Sequence, residues 1–468
     1  MSESTITRRG FMMGCSGAVA AMAGVRFNSM VYASDQSQSS DHILVTVFLR
    51  GGMDVLNFMP PLDTEDRRYY EEARGSLAVA ADPALQLGST PFMLHPNASS
   101  LRELYDEGDL AIIPATGMFV GTRSHFDAMN FMETGMPGQR LGGSGWLTRH
   151  LATTEGVSRG LAMPALAAGR FNPASFKSSQ EVVSFEQTSH FHVDHGPYHW
   201  REQQREALRD LYSLDASPIN EAGTRALNAI GVVDQYRGES YTPTVGTNYP
   251  THEFGDHLKL VAQAIKSDLG LRVATVDLDG WDTHENQGND VNGGYFDNLV
   301  RVLSDGLHAF YRDLSGSQTN LNKRVTVVVM SEFGRRLEAN SNNGTDHGHG
   351  SMMMVLGSNV YGGMYGTWPS LRPDALYEGI DLNVTTDYRR VLAEIVKESL
   401  GNPNWEQVFP TMGKYEPLGI VSNQPLTAVT LSKTDTHVPS SRKATTAASL
   451  GLVATAGLVA LRQRGVMI

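Results

Sequence analysis

Arg324–Ser351, RVTVVVMSEFGRRLEANSNNGTDHGHGS, decides how this chain is read. Val325 to Met330 is apolar except for Thr326, which predicts a strand buried on both faces of a parallel sheet. Ser331-Glu332-Phe333-Gly334-Arg335 follows and puts a carboxylate and a basic pair at the strand's carboxyl end, where open α/β sheets bind their ligands. A polar loop with glycines then delivers Asp346, His347 and His349 ahead of a second apolar run, Met352 to Leu356.

Working outward, the same design recurs. Val273 to Val276 predicts a strand that runs into Asp279-Gly280-Trp281-Asp282-Thr283-His284. His42 to Leu49 predicts a first strand, and the glycines of Arg50-Gly51-Gly52-Met53-Asp54 allow a tight turn that sets Asp54 at the same edge. Leu110 to Pro114 is a further core strand. Thr122-Arg123-Ser124-His125 then opens a helix reaching about Thr134, with Ser124 and Asp127 spaced as a capping box. Phe254–Leu269 and Phe296–Leu314 carry apolar residues at helical spacing. Helix and strand alternate, which predicts an α/β fold with a mainly parallel sheet covered on both faces. Residues from about 135 to 250 read as insertions over the active face, and Tyr388–Leu400 closes the globular part.

GWDTHENQ (from Gly280), SEFGRR (from Ser331) and GTDHGHG (from Gly344) resemble, in this order, motifs of the exported bacterial family DUF1501. FLRGGMDVLN (from Phe48), TRSHFDAMNFMETG (from Thr122) and GWLTRHL (from Gly145) extend the resemblance over about residues 43–400. That family is a distant branch of the alkaline phosphatase and sulfatase superfamily. The resemblance implies an alkaline-phosphatase-like three-layer α/β/α sandwich. It also implies one or two divalent ions, zinc first among them, on Asp54, Asp282, His284, Glu332 and His347. Asp282, His284 and His347 would hold one ion, and Asp54 and Glu332 another. Phe333 stands where the superfamily has a metal-binding histidine, and Glu332 where it has an aspartate; Asp346 or His349 are the substitutes at hand. Ser124 is the implied nucleophile, with Arg123 as a clamp on a small anionic ester. Metal-dependent hydrolysis of a phosphate or sulfate ester is the expected activity. A non-catalytic envelope protein of the same fold, binding a partner or glycan, is the alternative.

Net charge is −12, and both ends of the chain are net basic, so the body between them is more acidic still. That argues against nucleic acid as a partner, because phosphate backbones need basic footprints. The only cysteine is Cys15, which excludes a disulfide framework and a thiolate metal site. Residues 1–33, with Thr7-Arg8-Arg9-Gly10-Phe11 ahead of an apolar run, read as a twin-arginine signal, predicting export to the periplasm or cell envelope. Residues 34–430 are the folded domain. Residues 431–468 contain Val438-Pro439, an apolar stretch and two terminal arginines. This tail resembles those processed by an exosortase, or serves as a short membrane anchor. His190-Phe191-His192-Val193-Asp194-His195 matches the HxHxDH pattern of metallo-β-lactamase-like hydrolases. Its polar approach, Glu186-Gln187-Thr188, lacks the core strand that motif follows, so it reads as an accessory metal loop.

Overall fold

A computed structural model describes residues 41–422, apart from 63, 141–142, 156–160, 162, 188–199, 216, 235–240, 289–293 and 317–319. The arginine-bearing leader, the tail from residue 431 and the His190–His195 segment lie outside the described residues.

Strands β1 (Ile43–Leu49), β2 (Leu110–Gly117), β3 (Ala165–Ala168), β4 (Val182–Phe185), β5 (Val273–Leu278) and β6 (Val325–Ser331) come first in the chain. A hairpin of β7 (Arg335–Ala339) and β8 (Thr345–His347) follows, then β9 (Ser351–Leu356), β10 (Gly363–Met364) and β11 (Thr386–Asp387). Nine strands make one sheet in the order β10-β2-β9-β6-β1-β5-β3-β4, with β11 beside β2. β1 lies between β5 and β6 and is parallel to both. β9 is antiparallel to β6 and to β2. The sheet is therefore mixed and mostly parallel.

All seven residues of β1 and all seven of β6 are buried, as expected of strands covered on two faces. Their side chains alternate between two cores. Ile43, Val45, Val47 and Leu49 join one, and Leu44 and Phe48 join the other. Five helices bear on the argument: α1 (Glu65–Arg74), α2 (His125–Thr134), α3 (Trp146–Thr153), α4 (Glu253–Lys266) and α5 (Tyr295–Ser315). The first core takes Leu258, Val261 and Ile265 of α4 with Leu299, Leu303, Leu307 and Phe310 of α5. The second takes Ala128, Phe131 and Met132 of α2 and Trp146, Leu147 and Leu151 of α3. This is a three-layer α/β/α sandwich. Within the stretch read as insertions, β3 and β4 join the sheet beyond β5, and α3 packs on its second face. At four residues each, ALAA and VVSF are too short to show a strand's alternation. Among the described residues, no helix is long and apolar enough to cross a membrane.

Direction within the sheet is what positions the site. β1, β2, β5 and β6 all point the same way, so the segments after them meet at one edge. β9 runs against them, so the segment before it, including β8, reaches that edge as well.

Candidate metal centre

Three imidazoles converge on one carboxylate oxygen at this edge. His125 opens α2 after β2, Asp282 and His284 follow β5, and His347 ends β8. Asp282 Oδ1 lies 3.4 Å from His125 Nε2, 3.1 Å from His284 Nε2 and 3.1 Å from His347 Nε2. His284 Nε2 and His347 Nε2 are 2.8 Å apart. Atoms bound to one tetrahedral zinc at about 2.0–2.1 Å would be separated by roughly 3.3 Å, and the ligand atoms of His125, Asp282 and His347 all lie within 4.8 Å of one another, so these three could share such an ion, with His284 beside them.

The far side of each ring fixes its tautomer. Nδ1 of His125 donates to Glu332 Oε1 at 2.7 Å, and Nδ1 of His347 to the Arg123 carbonyl at 2.8 Å. Nδ1 of His284 faces Asp346 Oδ1 at 3.2 Å. With each ring proton on Nδ1, every neutral imidazole turns a bare Nε2 lone pair toward the centre, an arrangement repeatedly found behind metal-ligating histidines. His125 Nε2 is buried and has no hydrogen-bond partner. A buried nitrogen without a partner is costly, and a cation at the centre supplies the partner it lacks. The residues present therefore fit a divalent ion.

The charges at the centre differ from group to group. Burial alone would raise the Asp282 carboxyl, but the hydrogen bond and positive charge of Arg335 hold it down at about 2, so it is anionic over the physiological range. The Glu332 hydrogen bond raises the His125 imidazole, whereas burial lowers that of His347.

The backbone is built to bring these loops together. Gly51 has φ +120, and a Cβ there would lie 2.4 Å from the Asp282 nitrogen. Arg335, fully buried, donates to Asp282 Oδ1 (2.7 Å) and to the carbonyls of Gly51, Gly52 (2.7 Å), Trp281 (3.0 Å) and Thr345 (2.7 Å). One guanidinium thus ties the loops after β1 and β5 to β8. Phe333 is buried against the rings of His125 and His347, with centroids 4.9 and 5.0 Å away, and forms an apolar wall to the centre.

Asp282, His284 and His347 lie together at this edge. Glu332 sits behind His125, where it also accepts from the Gly51 nitrogen (2.9 Å) and Ser331 Oγ (3.1 Å). Asp54 is elsewhere: it is fully buried in a two-point ion pair with Arg74, the last residue of α1. The residue expected as a substrate clamp is otherwise engaged here. The Arg123 guanidinium is spent on Glu378 (2.8 Å) and Asp381 (2.5 Å), and it is the Arg123 carbonyl that serves the centre. Ser124 caps α2, with its Oγ accepting from the Asp127 nitrogen at 3.4 Å, and is exposed. His125 was not expected among the candidate ligands. The signal available was its place at the first turn of a helix after a core strand, the same edge that carries the others. His349 stacks on Tyr377 with ring centroids 3.9 Å apart. A second group with ligand spacing, Glu186, Glu253 and His257, lies apart from this centre, with Glu186 paired to Arg170 at 2.7 Å.

Sheet and centre together define the class: an α/β/α sandwich with a group of side chains able to hold a metal ion at the carboxyl edge of its strands. Residues 120–401 match the family described as Protein of unknown function (DUF1501), and the chain belongs to that family. No curated protein matches it. Among solved structures, it is similar to a protein in the alkaline phosphatase superfamily from Vibrio parahaemolyticus, at 12% identity and TM-score 0.31, over 75% of this chain and 70% of that one. It is also similar to Ps i-CgsB in complex with k-i-k-neocarrahexaose, at 10% identity and TM-score 0.31, over 82% of this chain and 75% of that one. At that degree of overlap, the chemistry of the centre has to come from its own geometry.

Proposed function

We propose that this protein is an exported, metal-dependent hydrolase of small phosphate or sulfate esters, with an alkaline-phosphatase-like centre. The observation that carries the reading is the convergence of His125, His284 and His347 on Asp282, each ring fixed from behind. Asp282 and His284 side chains are 48% and 39% exposed, so the centre is open to solvent, which suits catalysis better than a closed structural site. A divalent ion held there would polarise an ester oxygen and favour deprotonation of an attacking hydroxyl.

The chain supplies the rest. Ser124 stands between Arg123, whose carbonyl orients His347, and His125 itself. Its exposed hydroxyl lies at the N-terminus of α2, where the helix dipole favours an anion. Attack by Oγ on the phosphorus or sulfur would form a seryl ester and release the alcohol, and water would then cleave that ester. Phe333, in place of a ligand, favours the second reading, an envelope protein that keeps the fold and an ion but performs no turnover.

Purified protein assayed against chromogenic phosphate and sulfate esters separates the two. Turnover should fall on chelation, return with zinc, and vanish in Ser124→Ala while metal content holds. Metal at full occupancy with no ester hydrolysed would establish the binder instead. Export belongs to the same proposal: replacing Arg8 and Arg9 with lysine should leave precursor in the cytoplasm, and normal processing would refute it.

A further inference from the structure

The superfamily resemblance assigns a second ion to Asp54 and Glu332, and the residues present do not fit one. Asp54 Oδ1 accepts from Arg74 Nη2 at 2.8 Å and from the Asn57 nitrogen at 3.4 Å. Its Oδ2 accepts from Arg74 Nη1 and, at 2.6 Å, from Gln287 Nε2. Both side chains of the pair are fully buried. Arg74 is anchored further by donating from Nε to the Leu337 carbonyl (2.7 Å) and from Nη2 to the Arg336 carbonyl (3.0 Å). Glu332, also fully buried, has its oxygens committed to His125, Gly51 and Ser331.

We infer that the centre takes a single ion and that the Arg74 guanidinium stands permanently where a second cation would neutralise Asp54. The inference rests on the metal-dependent reading above and narrows it. A guanidinium remains charged at any working pH and matches a carboxylate with two parallel bonds, so it does for Asp54 what an ion would. An incoming ion would have to break both bonds and leave Arg74 buried without its counter-charge, which strongly disfavours exchange. Gln287 reinforces the arrangement. Its Oε1 accepts from Thr283 Oγ1 (2.9 Å) and Thr345 Oγ1 (2.8 Å), which turns its amide nitrogen toward Asp54. The site is thereby built for a guanidinium–carboxylate pair.

The position of bound metal tests this. Crystals of the full chain grown with zinc should show an anomalous peak within about 2.0–2.2 Å of His125 Nε2 and of Asp282, and none on Asp54. In solution, Asp54→Asn should bind zinc with wild-type affinity, whereas His284→Ala should bind it more than about tenfold more weakly. A peak between Asp54 and Glu332, or a loss of one ion in Asp54→Asn, overturns the single-ion inference and leaves the hydrolase reading standing. No zinc at His125 and Asp282 overturns both. Should Asp54→Asn fail to fold, the wild-type crystal alone decides.

Discussion

Glu332 accepts three hydrogen bonds at the end of β6, and the one from His125 orients a proposed ligand. Supporting carboxylates of this kind commonly contribute one to two orders of magnitude in metal affinity. Glu332→Gln should accordingly weaken zinc binding by about 10–100-fold while leaving the secondary structure intact, as read by competition with a chromophoric chelator and by circular dichroism. Unchanged affinity would mean that Glu332 does not orient the ring. The sequence shows Glu332 as a carboxylate at a strand end, which it is, but not which way it faces. It shows His125 as a residue behind a helix cap, and that role already accounts for its neighbour Ser124. Nothing in TRSHFD reveals that the segment folds back onto a loop that begins after β5. A contact made by the Arg123 carbonyl is less legible still, because every residue has a carbonyl.

At the scale of elements, long apolar or periodic segments were readable and short ones were not. β1, β5, β6, α4 and α5 lie where pattern places them, since six or seven mostly buried strand residues, or a helix of fourteen residues or more, leave a clear signature. The antiparallel course of β9 is invisible in Met352–Leu356, because an apolar run does not encode direction. Yet that course is what carries His347 to the centre. The turn after β1 is closely constrained by contact. Gly51→Ala would place a Cβ 2.4 Å from the Asp282 nitrogen at a φ of +120, so it should destabilise the fold by about 1–3 kcal/mol and weaken zinc binding with it. Gly143 has no atom within 4 Å of a built Cβ, and Gly143→Ala should stay within about 0.5 kcal/mol of wild type. Denaturant titration of the pair checks both. Equal stability would show that the loop can yield.

For the whole molecule, response to acid also depends on buried groups outside the centre. His150 in α3 is buried, and burial lowers its imidazole to about 4 from an ordinary value of 6.5. A histidine whose folded pKa is depressed favours the fold above the unfolded value. That contribution is lost as pH falls from 6.5 toward 4, because the unfolded chain takes the proton first. By pH 4.5 the loss from this group should reach about 2–3 kcal/mol. His150→Gln, which retains a polar side chain for Asn402, should flatten the decline between pH 7 and pH 4.5 in thermal melts of metal-free protein. A variant that declines as steeply as wild type would assign acid sensitivity to other groups.

The place of β1 in the sheet also governs how the chain is made. Leu44 pairs with Val273 on one side and Thr326 on the other, both far downstream. At the usual pace of synthesis, about 5–20 residues per second, the first partner emerges from the ribosome roughly 10–50 s after β1. Through that interval the nascent chain exposes a seven-residue apolar segment with both backbone edges unpaired, a strong template for aggregation. Long-range parallel pairing of this kind also folds slowly once complete. ILVTVFL can therefore take its place in the sheet only after β5 and β6 have been translated.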